Sequence, residues 1–319
     1  MKKLLVPALL LLTTLLTIPV YGHGGRTNAQ GCHNQKSTGG YHCHNSGKHS
    51  AASSTSHNQS IHKCTDSNGK ISFTDTPCNS NSQSYVSAFG DVTPSNKDLM
   101  RLNYDGFIVW LDCSKRGAVK FQYNAQRDTG NFKRSSKFYL DSKVPKNCQQ
   151  YSAKTYKAKG KKYDRGHLVP ANHLDYSKTA IKASNSMTNI LPQAANMNRG
   201  AWLMTEEITE CYRDIDELLI IGGVIWGNNS ANDYFVTSHG VKTPDAFWKV
   251  IIRGIGADER VIAWIIPNSQ DAKRASLDHY IVTVAEIERV TGDKIPVADY
   301  AKHDKPSVSW ALPRGCNKG

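Results

Sequence analysis

The first 205 residues of this 319-residue chain contain no glutamate; the earliest is Glu206. Acid is scarce throughout, with 27 Asp+Glu against 40 Lys+Arg, which leaves a formal charge of +13. That balance points to an anionic partner rather than to an acidic binding surface. Long apolar runs are also rare. Only residues 4–20 are apolar enough to enter a bilayer, which excludes a multi-span membrane protein. Apolar residues at 39% still supply too much core material for collagen or a wholly disordered chain.

The positive charge is concentrated. Residues 113–165 carry 15 Lys and Arg against Asp128, Asp141 and Asp164, so 15 − 3 gives +12 in one segment. This fits either a solvated face or a surface that meets phosphates.

At the N-terminus, Lys2 and Lys3 precede the apolar run, and Val20-Tyr21-Gly22 leads to a cleavage point before His23. This is the pattern of a secretory signal, so residues 1–22 are expected to be removed and the protein to be periplasmic or secreted, with no membrane attachment afterwards. The mature charge is then 13 − 2 = +11. Export would place the eight cysteines in an oxidising space. Their order suggests the pairs 32–43, 64–78, 113–148 and 211–316.

Residues 23–49 are rich in Gly, His and Asn and too poor in apolar residues to build a core. Cys32, His42, Cys43 and His44 could bind Zn²⁺, or the two cysteines could close a small loop. The stretch resembles a short His-rich YHCH-type motif of bacterial exported proteins. Residues 50–60 and 81–96 read as polar linkers. Between them, residues 61–80 read as a small hairpin unit with a turn at Asp66-Ser67-Asn68-Gly69, resembling a small domain of bacterial envelope proteins.

Residues 97–319 hold the core-forming sequence. Apolar runs at 107–111, 218–224, 247–252 and 261–266 predict buried strands, and the spacing of Leu277, Tyr280, Ile281, Val284, Ile287 and Val290 predicts a helix over 276–291. The mix predicts an α+β fold with one large sheet.

The most chemically specific stretch is Tyr163-Asp164-Arg165-Gly166-His167, followed by Asn189-Ile190-Leu191-Pro192-Gln193 and Asn196-Met197-Asn198-Arg199-Gly200-Ala201-Trp202. Cutting a phosphodiester requires a base for water, charge relief at phosphorus and help for the departing oxygen. A neutral imidazole such as His167 suits the first task. A hard cation held by the Asn198 amide oxygen suits the others. A helix over 194–213 would place Asn198, Trp202 and Glu206 within about 80° of one another, with Ala201, Met204, Ile208 and Cys211 as its packing stripe. Glu206 could then accept hydrogen bonds from the cation's waters, while neighbouring Glu207 points away. Arg165 is placed to take a phosphate bidentately, Gly166 allows close backbone approach, and Asp164 orients its neighbours.

Together these motifs resemble the DNA/RNA non-specific endonuclease family. The resemblance covers residues 97–319 and includes Pro244-Asp245-Ala246-Phe247-Trp248-Lys249. It implies a central, mostly antiparallel sheet with flanking helices and a ββα-metal finger. It also implies Mg²⁺ (or Mn²⁺) as cofactor, DNA and RNA as substrates, and 5′-phosphate products. By position it adds Arg134 as a second active-site arginine and Asn189 as a brace of the finger. His173 is expected to have no catalytic role. Two other readings are a non-catalytic envelope protein that binds nucleic acid or metal, and a toxin nuclease paired with an inhibitor protein.

Overall fold

A computed structural model describes residues 99–254 and 258–318, together with the backbone of four short strands nearer the N-terminus. Those strands form two hairpins. Cys32–Gln35 (β1) pairs with Gly40–Cys43 (β2), placing Cys32 opposite Cys43. His62–Thr65 (β3) pairs with Ile71–Thr74 (β4), on either side of the expected turn. The Zn²⁺ ligands proposed at Cys32, His42, Cys43 and His44, and the pairs 32–43 and 64–78, involve side chains outside the described residues.

The main body is built on a seven-stranded sheet in which every pairing is antiparallel. In chain order the strands are Leu99–Tyr104 (β5), Phe107–Asp112 (β6), Gly117–Ala125 (β7), Leu218–Ile225 (β11), Ala246–Arg253 (β12), Arg260–Pro267 (β13) and Ile281–Val282 (β14). The four predicted apolar runs fall on β6, β11, β12 and β13. β11 is uninterrupted in sequence because both of its faces are covered. On one face Ile220 joins Phe121, Trp202, Phe247 and Ile208. On the other, Leu219 and Ile221 join Val250, Ala263 and Ile287.

β7 and β11 are adjacent in the sheet yet distant in sequence. The chain between them leaves the sheet and builds the functional insertion. It contains Lys157–Ala158 (β8), Lys161–His167 (β9), the helix Lys178–Ser184 (α1) and Ile190–Ala194 (β10). A helical stretch follows β10 at once: Ala195–Met197 (α2), a wider π turn over Asn198–Trp202, and Leu203–Arg213 (α3). The cause of the π turn is local. Ala201 donates its N–H out of the helix to the Ala272 carbonyl at 3.2 Å. Gly200 permits this approach, because a Cβ there would lie 2.9 Å from the Arg274 nitrogen. The expected uniform helix over 194–213 is therefore interrupted at Asn198, and such turns recur at functional sites.

The helix expected over 276–291 is shorter than its apolar spacing suggested. Residues Arg274–Tyr280 form a 3₁₀ segment, and β14 follows. After the short helix Val236–His239 (α4), the next full helix is Val284–Thr291 (α5). It starts where Thr283 and Glu286 form a reciprocal capping box, which satisfies the first free N–H groups. Of the expected disulfides, Cys113–Cys148 and Cys211–Cys316 are formed.

Candidate active site

β9 and β10, paired strands of a small sheet completed by β8 on the far edge of β9, form a finger whose register pairs His167 with Ile190 and Arg165 with Pro192. Gly166 is needed here because the Gln193 side chain crosses its backbone; a Cβ would fall 2.1 Å from Gln193 Oε1. The helix after β10 folds back on β9 and is tied to it twice. Trp202 Nε1 donates to the His167 carbonyl at 3.1 Å, and Asn198 Nδ2 donates to Asp164 Oδ2 at 3.0 Å. His167 and Asn198 therefore belong to one junction rather than to separate surfaces.

The second bond decides what Asn198 can do. Its NH₂ is committed to Asp164, so its carbonyl oxygen is left as the open group. Asp164 is itself locked by a two-pronged pairing with Arg199, at 2.8 and 2.6 Å. It thus orients Asn198 and is not free to react.

His167 is buried, with 7% of its surface exposed. Its Nε2 lies 2.9 Å from Asn185 Oδ1. The Asn185 NH₂ faces the carbonyls of Ser135 (2.6 Å) and Lys137 (3.2 Å), which can only accept. The Asn185 oxygen must therefore face the ring, Nε2 must carry the proton, and Nδ1 holds the lone pair. Arg134, exposed at the rim, brings its Nη2 to 3.5 Å from that Nδ1. Burial, with Arg134 and Arg165 adding like charge, pulls the imidazole down to about 3. The ring is accordingly neutral across the physiological range.

Arg165 is held in position on two sides. Nη1 donates to the Ala153 carbonyl at 2.9 Å, and its Cζ lies 3.8 Å from the Phe138 ring centroid. Desolvation lowers its pKa from the usual arginine value. Asn189 is fully buried, and its amide is fully used. It donates to the carbonyls of Val169 and Ser184 and accepts from the Val169 N–H. It braces the loop that leaves β9 and has no free group to offer a ligand.

Glu206 is partly buried on α3, and burial pushes its carboxyl well up from the carboxylate range. Lys249, Arg134 and a Trp202 hydrogen bond act in the opposite direction. The Arg134 charge thus bears on both His167 and Glu206. Glu207, by contrast, pairs with Arg274 at 2.6 and 2.5 Å.

Two contributors had no role in the sequence reading. Asn185 carries no motif signal; its meaning depends on carbonyls some fifty residues away. Lys249, on β12, is completely buried beneath the helix. It donates to Thr205 Oγ1 at 2.8 Å and lies 3.8 Å from the Trp202 ring centroid. Burial lowers its pKa, with Glu206 opposing. His173 is occupied elsewhere, between the Tyr123 hydroxyl (2.7 Å) and the Glu206 carbonyl (3.2 Å), with Glu210 beside it. Most cations of the basic segment are exposed, including Lys133, Lys137, Lys154, Lys157 and Lys162. Lys120 is the one buried cation of the segment, with Asp293 at 3.4 Å.

Among the described residues no three His, Cys, Asp or Glu side chains gather as a metal site. The donor set at the junction is of another kind, a free amide oxygen with a nearby carboxyl. Such hard oxygen donors fit a cation that keeps most of its waters, as Mg²⁺ does.

A finger of paired strands crossed by a helix, with an imidazole and a carboxamide at the crossing, defines a nuclease of the ββα-metal class. Comparison with known proteins agrees. The DNA/RNA non-specific endonuclease pattern matches residues 86–303. A nuclease from Nostoc sp. is 30% identical over 233 residues, covering 69% of this chain and 79% of that one. Mitochondrial endonuclease G from Bos taurus is 24% identical, covering 58% of this chain and 65% of that one. The structure of an EndoG/EndoGI inhibition complex aligns with a TM-score of 0.50 at 18% identity, over 61% of this chain and 85% of that one. The chain belongs to the DNA/RNA non-specific endonuclease family.

Proposed function

We propose that this protein is an exported, Mg²⁺-dependent endonuclease that cuts DNA and RNA with little regard to sequence and leaves 5′-phosphates. The observation that carries this reading is the junction itself. A neutral imidazole whose Nδ1 keeps its lone pair is carried on the same strand–helix junction as an asparagine whose NH₂ is committed and whose amide oxygen is not.

His167 Nδ1 takes the proton from the attacking water. Before substrate arrives, Arg134 leans toward that nitrogen; a phosphate oxygen, carrying full negative charge, would draw the guanidinium away and uncover it. Arg165, clipped between Ala153 and Phe138, presents its remaining N–H groups to the scissile or adjacent phosphate. Asn198 is the residue that would hold Mg²⁺, with Glu206 accepting hydrogen bonds from the ion's waters. When bound, that ion relieves charge at phosphorus and stabilises the departing 3′ oxygen. The exposed lysines of the 113–165 segment supply backbone attraction without reading bases, so affinity falls steeply with salt.

Export is supported by the lysine-led apolar run in residues 1–22. Residues 23–96 are read as two small modules on linkers, outside the nuclease body of 97–319.

The test is plasmid cleavage by the purified protein. His167→Ala should lose about 10²–10⁴-fold in rate while remaining folded. EDTA should stop the parent protein, and Mg²⁺ should restore it. Cleavage by His167→Ala at the parent rate, or undiminished activity in EDTA, would overturn the reading. DNA retention without strand breaks would favour a binding protein instead.

A further inference from the structure

Tyr151 is a large aromatic residue left unusually open, with 59% of its surface in solvent. It is nevertheless rigidly mounted. The Arg116 guanidinium lies 4.6 Å from its ring centroid. That guanidinium is fixed in turn, with Nη1 donating to the carbonyls of Lys146 (2.8 Å) and Gln149 (2.7 Å). Arg116 also has a backbone φ of 53°, the one non-glycine positive φ among the described residues. For a side-chain-bearing residue that conformation costs free energy and persists only where its surroundings enforce it. Here the enforcement is visible. The Cys113–Cys148 disulfide joins the β6–β7 turn to the loop that carries the two accepting carbonyls. Gly240 closes the seat: a Cβ there would lie 2.8 Å from the Tyr151 ring and from Arg116 Cδ.

The segment that follows is pinned to the active site. The Tyr151 N–H donates to the His239 carbonyl at 2.8 Å, and the His239 ring, through Nε2, bonds the Lys154 carbonyl at 3.0 Å. Between them, the Ala153 carbonyl accepts from Arg165. Two residues of extended chain span at most about 7 Å. Tyr151 is thus anchored in the same short segment whose carbonyl holds the Arg165 guanidinium. Lys146, Lys154 and Lys157 lie within six residues of Tyr151 in sequence, all exposed and none paired with a carboxylate among the described residues.

From this geometry we propose that Tyr151, mounted on Arg116, is a base-stacking platform that seats an unpaired nucleobase beside the scissile phosphate. An aromatic face held in a cationic setting suits a base, because every base has a π-face and every nucleotide brings a phosphate. In a duplex the bases stack on one another and are not free to leave. The platform therefore favours single-stranded or locally opened substrate. It imposes no sequence preference, because stacking does not read base edges.

The inference rests on the nuclease reading, and the experiment separates the two. Cleavage of a single-stranded oligonucleotide and of the matching duplex is compared for the parent, Tyr151→Ala, Tyr151→Phe and Tyr151→Trp. Losing one stacked base should raise KM on the single strand about fivefold to 150-fold in Tyr151→Ala, with kcat nearly unchanged. Phe and Trp should retain the parent KM, because the hydroxyl is not needed. The duplex should be affected far less. A second readout needs no catalysis. In EDTA, a strand carrying 2-aminopurine should be quenched on binding the parent protein and not on binding Tyr151→Ala. An unchanged single-strand KM in Tyr151→Ala would remove the platform and leave the nuclease standing. So would Phe behaving like Ala, or the absence of Tyr151-dependent quenching at any position of the probe. An inactive parent would instead refute the underlying reading.

Discussion

Replacing Asn185 by alanine tests the claim that an amide outside every recognisable motif sets the aim of the base. The variant removes the only acceptor for the His167 Nε2 proton among the described residues and strips the Ser135 and Lys137 carbonyls of their donor. An unsatisfied buried donor costs about 1–3 kcal/mol. The ring can escape that cost by rotating or by moving its proton to Nδ1, and either change takes the lone pair from the water. Converted at about 1.4 kcal/mol per decade, the loss is about 5-fold to 150-fold in kcat. That is less than deletion of the imidazole, for which about 10²–10⁴-fold is expected. The assay is initial-rate nicking of supercoiled plasmid at saturating Mg²⁺, with thermal unfolding as the control. Asn185→Asp gives the contrary arm. A carboxylate there would raise the basicity of His167 from its depressed value of about 3 but repel the two carbonyls, so the variant should be less stable and its imidazole should protonate at higher pH by NMR. A folded Asn185→Ala protein that nicks plasmid at the parent rate would refute the reasoning, because the ring would then need no orienting partner.

Three further outcomes follow from the same geometry. Lys249→Met should lower the free energy of unfolding in urea by about 1.5–3 kcal/mol, because it removes the buried charged donor to Thr205 Oγ1; equal stability would mean the lysine is only filler. Glu206→Gln should lose most plasmid cleavage while Glu207→Gln keeps it, because Glu207 is committed to Arg274; similar losses would break the assignment. Finally, the pH dependence of stability carries a definite sign. Folded His167 stays neutral down to about 3, whereas in the unfolded chain it takes up a proton near 6.5. The histidine therefore destabilises the fold increasingly as pH falls below 6.5 and has no such effect above it. His167→Gln lacks that proton uptake. Relative to the parent it should gain about 2 kcal/mol between pH 7.5 and pH 5, with other titrating groups largely cancelling in the difference. A flat difference across that window would show that the ring is not held neutral.

What could be read from the sequence divides along a physical line. The strands β11, β12 and β13 were legible because they are buried on both faces, and so spell out apolar runs that no solvent-facing element would carry, whereas β6 is apolar over 107–111 although Ile108 and Trp110 on its second face are only partly buried. The helix bearing Asn198 and Glu206 was legible as a helix. Its π turn was not, because that turn arises from Ala272 capturing the Ala201 N–H, an event dictated by a segment some seventy residues on. The helical spacing over 276–291 misled for a related reason. Apolar residues continued at the right intervals through a 3₁₀ segment and a short strand, while the true start was marked by Thr283 and Glu286, a capping signal stronger than periodicity.

The site divides the same way. Groups that offer a free atom, His167 and Asn198, sit in a dense local motif that the eye can find. The pairings that decide which atom is free are not local. Asp164 commits the Asn198 NH₂, and Asn185 commits the His167 Nε2 proton, each through an ordinary hydrogen bond whose partner is distant in sequence. Local sequence can thus name the base and the ligand, but which nitrogen and which oxygen they present is settled only when β9, α1 and the helix after β10 are brought together. Substitutions at Asp164 and Asn185 should for that reason mimic losses at Asn198 and His167 in activity while leaving those two side chains in place.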